Sequence, residues 1–216
     1  MRLLLSLLLA ALAADLTIVD RPIPFTEERQ QLSLEYWRLH YGGEPEHTRI
    51  VTQAIVLHWT AGGTLESAWN TFAPVKAVDG RPDLAAHGAV NASAHFIVDR
   101  DGTVVRLMPE DQMARHCVGL NWSSIGVENV GDDKRWPLTD AQVHANAALV
   151  RALVTRFPTI TWLLGHYEAG GVESTAIFRE LEPGYRSRKV DPGADFMARV
   201  RVEVADLNLS APLATR

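Results

Sequence analysis

Short apolar runs of strand length alternate along this chain with segments of helical periodicity, and this alternation limits the fold more than any other feature. Residues 54–57 and 160–164 are predominantly apolar, which is typical of strands buried on both faces of a sheet. Residues 125–130 form a third strand candidate. Between the runs at 125–130 and 160–164, Thr139 and Gln142 form a capping box at the start of a long helix. The pattern predicts an α/β fold, a single domain with a central mixed β-sheet flanked by helices.

The remaining segments fit the same architecture. Residues 26–40 predict an early helix, and residues 195–207 predict a last one. Residues 94–99 and 103–108 are β-rich runs separated by an Asp-Gly turn, which predicts a hairpin. Residues 73–93 lack periodicity and predict a long loop.

Composition narrows the function classes. A chain of 216 residues with 47% hydrophobic and 22% charged residues can bury one core without disulfides. The net charge of −5 gives no sign of nucleic-acid binding, which usually needs a basic face. Cys117 is the only cysteine, so the sequence predicts neither an internal disulfide nor a thiolate zinc cluster. We expect a monomer in which Cys117 is a small buried side chain.

The N-terminus resembles an export signal. Arg2 precedes an apolar run over residues 3–9, and Ala-Leu-Ala at 11–13 matches the small-x-small cleavage pattern. The run is too short for a stable transmembrane helix, which needs about 20 apolar residues. We therefore predict a signal peptide over 1–13 and a periplasmic or extracellular mature chain without a membrane span. A buried N-terminal helix or an uncleaved anchor is the alternative.

Three segments follow the predicted signal peptide. Residues 14–50 are predicted to be an N-terminal extension with a helix, residues 51–207 the principal domain, and residues 208–216 a C-terminal tail.

Two predicted strands end in a histidine. His58 follows the run at 54–57, and His166 follows the run that ends at Leu164-Gly165. A single histidine at such a place is more often a core residue than a metal ligand. Two of them converge if their strands are neighbours in the sheet.

A third polar segment, residues 188–193, contains Lys189 and Asp191 before Pro192. The residue before a proline is pushed toward extended backbone, in which side chains two apart share a face. Alone, this segment reads as a solvated turn with a surface ion pair. Together with His58 and His166, Asp191 completes a set that suits a catalytic Zn²⁺ with an open fourth position. Hydrolysis there also needs a carboxylate for the proton and a donor for the oxyanion.

Five segments occur in an order that resembles a known family. They are I-V-L-H-W-T, S-A-H-F-I-V-D-R-D-G-T-V, S-I-G-V-E-N-V-G, G-H-Y-E and K-V-D-P-G, within residues 54–196. The set is similar to the zinc-dependent N-acetylmuramoyl-L-alanine amidases, a family shared with phage lysozyme-type amidases and peptidoglycan recognition proteins. The resemblance implies that fold, a Zn²⁺ cofactor and a peptidoglycan or muropeptide substrate. It also implies cleavage of the amide bond between N-acetylmuramic acid and L-alanine.

The resemblance assigns roles to matching residues. His58, His166 and Asp191 fall on the zinc ligands, Glu128 on the general base, and Lys189 on the group that stabilises the oxyanion. Other branches of the family use a tyrosine just before the histidine of the H-F-I segment. This chain has alanine there, at position 94, which favours the glutamate as the base.

Several residues keep two interpretations. His116 matches a family histidine that lines the substrate groove, but an ordinary loop histidine is equally consistent. Glu168 could orient His166 or be a surface carboxylate. We interpret His95 and Asn129 as structural. Residues 169–187 form a longer segment than the family pattern leads us to expect, which could include a short helix and could shape or cover the groove.

The main alternative function is a non-catalytic peptidoglycan- or muropeptide-binding module of the same fold. Binding members of the family typically lack a zinc ligand, whereas all three positions are filled here. A structural envelope protein would tolerate substitution of Glu128. A zinc peptidase would commonly carry an H-E-x-x-H helix, which this sequence lacks.

Overall fold

The fold is built on one six-stranded sheet with the strand order β1-β4-β3-β5-β2-β6. The computed structural model describes residues 16–77 and 81–212, so the predicted signal peptide lies outside the described residues. The strands are β1 (Ile18–Asp20), β2 (Ala54–Trp59), β3 (Phe96–Val98), β4 (Val104–Arg106), β5 (Ser124–Asn129) and β6 (Trp162–Gly165). The helices are α1 (Glu27–Tyr41), α2 (Leu65–Phe72), the single turn α3 (Pro82–Ala85), α4 (Asp140–Arg156) and α5 (Ala194–Glu203).

The sheet is mixed, as predicted. Strands β3 and β4 pair antiparallel in the predicted hairpin, whose Asp-Gly turn places Gly102 at a φ of 90°. The pairs β1–β4, β3–β5, β5–β2 and β2–β6 are parallel. The prediction of one α/β domain with a mixed sheet flanked by helices is confirmed. Because β2, β5 and β6 are parallel neighbours, their carboxyl ends meet at one edge of the sheet.

Strand β1 was not expected from the sequence. It has only three residues, too few to show a periodic pattern, and two of them are exposed. It pairs with β4, and Asp20 accepts hydrogen bonds of 2.6 and 2.9 Å from the Arg106 guanidinium. The segment predicted as an N-terminal extension therefore contributes an edge strand to the sheet as well as α1.

The two faces of the sheet differ in chemistry. Helices α4 and α5 pack against one face through a large apolar cluster that includes Leu57, Val127 and Leu163. Side chains alternate across a strand, so His58 and Glu128 lie on the other face. These two residues are register partners on the adjacent strands β2 and β5. The face away from α4 and α5 therefore carries the polar residues.

Helices α1, α2 and α4 each begin after a threonine cap, and the cap at Thr139 was predicted. Thr26, Thr64 and Thr139 each accept a hydrogen bond from the backbone N–H three residues later. Thr139 and Gln142 make the reciprocal capping box, and a side-chain cap of this kind stabilises a helix by about 1 kcal/mol.

The loop at 73–93 contains one turn of helix, α3. Within the segment 169–187, the 3₁₀ helix His166–Val172 covers the beginning, and the part around Ile177 is irregular rather than helical. In the part of the chain that the structure describes, no helix has the length and apolarity to cross a bilayer.

Candidate active site

Two strand ends place two imidazoles side by side. Leu57 on β2 is paired in register with Gly165 on β6, so His58 and His166 follow one another at the same edge of the sheet. Their Nδ1 atoms lie 2.9 Å apart, and both side chains are buried. Asn129 Nδ2 donates a 3.0 Å hydrogen bond to the carbonyl of His58, which fixes the end of β2. The predicted convergence of the two histidines is therefore present.

Asp191 completes a compact set of metal-binding atoms. Its Oδ2 lies 3.2 Å from His58 Nδ1 and 3.1 Å from His166 Nδ1. Three lone-pair-bearing atoms that face one another at these distances, all on buried residues, need a cation or shared protons between them. Two imidazole nitrogens and one carboxylate oxygen are the donor set of a catalytic zinc site. The residues present therefore fit the metal that the resemblance implies.

Electrostatics favour the ligand forms of His58 and Asp191. Burial and the neighbouring His166 lower the pKa of His58 to about 4, so its imidazole is neutral near pH 7. Burial alone would raise the pKa of Asp191, but the neighbouring imidazoles of His166 and His58 hold it well below its usual range. A neutral imidazole and an ionised carboxylate are the protonation states that bind a metal.

Glu128 lies beside this cluster without a hydrogen-bond partner. Its Oε2 is buried and accepts no hydrogen bond within the described residues. Burial, and then the charge of Asp191, raise the pKa of Glu128 to about 8. A buried carboxyl group without a partner costs free energy of folding, so its presence here points to a group that it meets only when substrate or metal is bound.

All of the predicted site residues line one cavity of about 700 Å³, on the polar face of the sheet. Among these lining residues, His58, His166, Asp191 and Glu128 are buried, and His116 is partly buried. Lys189 is exposed and close enough to lower the pKa of Glu128 by its charge.

Ser187, and not Glu168, contacts the imidazole of His166. Glu168 binds Arg201 through both carboxylate oxygens, at 2.9 and 2.6 Å, and accepts the Gly165 N–H at 2.7 Å. It therefore anchors the backbone before His166, and of its two open interpretations the contact with the imidazole is not the one observed. Instead, Ser187 Oγ lies 2.7 Å from His166 Nε2. Ser187 could not be found from the sequence because it is distant in the chain and belongs to no motif.

His116 and the other uncertain residues also have defined places. His116 Nδ1 lies 3.0 Å from His58 Nε2, at the wall of the cavity. His95 Nδ1 accepts the Gly126 N–H, and its Nε2 donates to the Gln112 carbonyl, which agrees with a structural role. Cys117 is buried and unpaired, as expected.

The end of the long segment at 169–187 lines the cavity through Tyr185, Arg186 and Ser187. Glu180 binds His40 Nδ1 on α1 at 2.9 Å, and both side chains are fully buried. Tyr185 stacks on His87 with ring centroids 3.9 Å apart, and its hydroxyl accepts a hydrogen bond from Arg115. The segment thus shapes the groove, as one of the two sequence-based expectations held.

This chain matches one known protein family and several related proteins. The family described as N-acetylmuramoyl-L-alanine amidase (Amidase_2) matches residues 47–194. The 1,6-anhydro-N-acetylmuramyl-L-alanine amidase AmpD of Citrobacter freundii is 33% identical over 133 residues. That alignment covers 57% of this chain, and the chain spans 63% of the length of the relative.

Solved structures give the same fold. A crystal structure of a Se-Met derivative of AmpD has a TM-score of 0.54 at 25% identity and covers 87% of this chain and 94% of its own. The N-acetylmuramoyl-L-alanine amidase LysC from Clostridium intestinale URNW has a TM-score of 0.56 at 19% identity, covering 90% of this chain and 99% of its own. The match over residues 47–194, which contains every ligand of the cluster, shows that this chain belongs to the N-acetylmuramoyl-L-alanine amidase family.

Proposed function

We propose that this protein is a zinc-dependent N-acetylmuramoyl-L-alanine amidase that hydrolyses the amide bond between N-acetylmuramic acid and L-alanine. The observation that carries the proposal is one cavity holding His58, His166 and Asp191 together with an unpartnered buried carboxylate and a lysine. Family membership and the names of the relatives support the same bond and substrate class.

His58 Nδ1, His166 Nδ1 and Asp191 Oδ2 would hold the zinc ion. Bound there, zinc supplies Lewis-acid polarisation and lowers the pKa of water. In its ionised form, Glu128 takes a proton from the attacking water and passes it to the amine of L-alanine as the C–N bond breaks. Lys189 Nζ stabilises the negative charge that develops on the carbonyl oxygen. The products are a lactyl carboxylate on the glycan and a free stem peptide.

A non-catalytic binding module is less consistent with this arrangement. Recognition of a muropeptide needs a groove, but it gives no reason for an unpartnered buried carboxylate beside a metal-binding cluster. Oε2 of Glu128 is buried without a partner. This costs free energy of folding, and a catalytic role for the side chain gives a reason for it.

The products test the activity directly. Purified protein should release free stem peptides and unsubstituted glycan from peptidoglycan, as seen by mass spectrometry, and a chelator should stop the release. Parallel digests of intact peptidoglycan, soluble muropeptides and 1,6-anhydro-muropeptides separate the substrate classes. The third class is included because the name of the relative specifies it. New reducing-end sugars without free peptides would show a glycosidase and contradict the proposal.

We also infer that the protein is exported to the periplasm or the cell exterior. Arg2, the apolar run at 3–9 and the Ala-Leu-Ala at 11–13 support this inference. N-terminal sequencing of protein recovered from the envelope or medium should begin near Ala14. Soluble cytoplasmic protein that retains Met1 would contradict export while leaving the amidase proposal intact.

A further inference from the structure

The imidazole of His116 lies between a metal-binding histidine and the backbone of β5. Its Nδ1 is 3.0 Å from His58 Nε2, the nitrogen that faces away from the metal-binding cluster. Its own Nε2 is 3.4 Å from the carbonyl oxygen of Ser124 and 3.3 Å from the Ser124 hydroxyl. The His116 and His58 rings meet edge to face, at an interplanar angle of 89°.

The two groups that face His116 Nε2 can only accept a hydrogen bond. The Ser124 carbonyl has no hydrogen, and the Ser124 hydroxyl donates its own hydrogen to the Leu120 carbonyl at 2.7 Å. His116 Nε2 must therefore carry the N–H. A neutral imidazole carries one N–H, so His116 Nδ1 has a lone pair. His58 Nε2 must then be the donor in the contact between the two rings.

This chain of donors decides the tautomer of His58. With its hydrogen on Nε2, His58 has a free lone pair on Nδ1. That atom is the one that lies 2.9 Å from His166 Nδ1 and 3.2 Å from Asp191 Oδ2. The opposite tautomer would place a hydrogen on Nδ1 and block the metal.

The position of the His116 ring is fixed on both sides. A Cβ atom at Gly126 would lie 2.5 Å from His116 Cγ, so the ring packs directly on the backbone of β5. Asn121 Oδ1 accepts the backbone N–H groups of His116 and Cys117 at 2.8 and 2.6 Å. The glycine in the I-G-V-E segment therefore provides the space that lets His116 reach His58.

We infer that His116 is a positioning residue that sets the tautomer of His58 so that Nδ1 binds zinc. This inference rests on the zinc site of the proposed function and goes beyond a contact with substrate. Ser187 provides a matched comparison at the other histidine, 2.7 Å from His166 Nε2. A hydroxyl both donates and accepts, so Ser187 holds the ring of His166 without selecting its tautomer.

Zinc affinity provides the first test. We would measure the zinc dissociation constant of the full chain by competition with a chromophoric chelator, for the wild type and three variants. His116→Phe keeps a ring but has no acceptor and should weaken zinc binding by about 10- to 100-fold, the usual effect of losing such a partner. His116→Asn offers Oδ1 near the place of Nδ1 and should recover most of the affinity. Ser187→Ala should weaken binding less than His116→Phe. Equal affinity in the wild type and His116→Phe would overturn the inference.

The tautomer itself provides the second test and needs no metal. The ¹⁵N chemical shifts of the histidine side chains in zinc-free wild-type protein should show His58 protonated at Nε2 and His116 protonated at Nε2. A hydrogen on His58 Nδ1 would overturn the inference without any variant, even if His116→Phe does not fold. Failure of the wild type to bind zinc would instead contradict the proposed metal site, and the ¹⁵N pattern would still decide the role of His116.

Discussion

Replacement of Asp191 by alanine is expected to remove zinc and to lower amide hydrolysis by about 10³-fold or more, because a metal contributes several kcal/mol to such a reaction. Asp191 Oδ2 contacts both imidazoles and is the only anionic atom in the cluster. Without it, two neutral nitrogens remain, too few for a stable zinc site. Metal analysis after dialysis and the rate of stem-peptide release measure the two effects.

Thermal unfolding adds a second measurement to this prediction. A ligand that binds only the folded state raises the melting temperature, so a chelator should destabilise the wild type and leave Asp191→Ala unchanged. Asp206→Ala is the matched control, because Asp206 is an exposed partner of Arg151 that lies outside the cavity. It should keep its zinc and its activity. Full zinc occupancy in Asp191→Ala would show that the third ligand is a different residue.

Glu128→Gln is expected to keep zinc bound while kcat falls by about 10²-fold or more, the usual contribution of a general base. Glutamine has the size and shape of glutamate, but its amide cannot take a proton from water. The Glu128 carboxylate is buried, and its Oε2 has no partner. Its removal should therefore leave the free energy of unfolding unchanged or raise it. Single-turnover kinetics, zinc content and urea unfolding measure the three quantities.

Lys189→Ala separates charge stabilisation from proton transfer. It should also lower kcat by about 10²-fold, the scale of a lost oxyanion donor, with little change in zinc content or melting temperature because Lys189 is exposed. Lys134→Ala, an exposed lysine outside the cavity, is its control. Near wild-type activity in metal-loaded Glu128→Gln would place proton transfer elsewhere.

The parts of this molecule that sequence could predict depend on local rules. Capping boxes, Asp-Gly turns and apolar runs depend on residues that are close in the chain. The helices, the hairpin and the strands that carry His58 and His166 could therefore be predicted. The convergence of those two histidines needed only one further condition, that β2 and β6 be adjacent and parallel.

The parts that could not be predicted depend on contacts between distant segments. Strand β1 has three residues and forms because β4 offers a free edge. The contact of Ser187 with His166 depends on the path of an irregular segment. The role of His116 depends on close packing against Gly126, which becomes visible only when both segments are placed. The role of Glu168 stayed open for a related reason, since its partner Arg201 lies on α5, far along the chain.

The buried pair of His40 and Glu180 has a consequence for where the folding unit ends. The family match begins at residue 47, yet α1 lies before it and is joined through His40 to Glu180, in the segment whose end lines the cavity. Leu181 adds a backbone hydrogen bond to the His40 carbonyl. A family match marks the residues that relatives share, whereas buried contacts determine the smallest piece that folds. In this protein the folding unit therefore begins before the family match and includes α1.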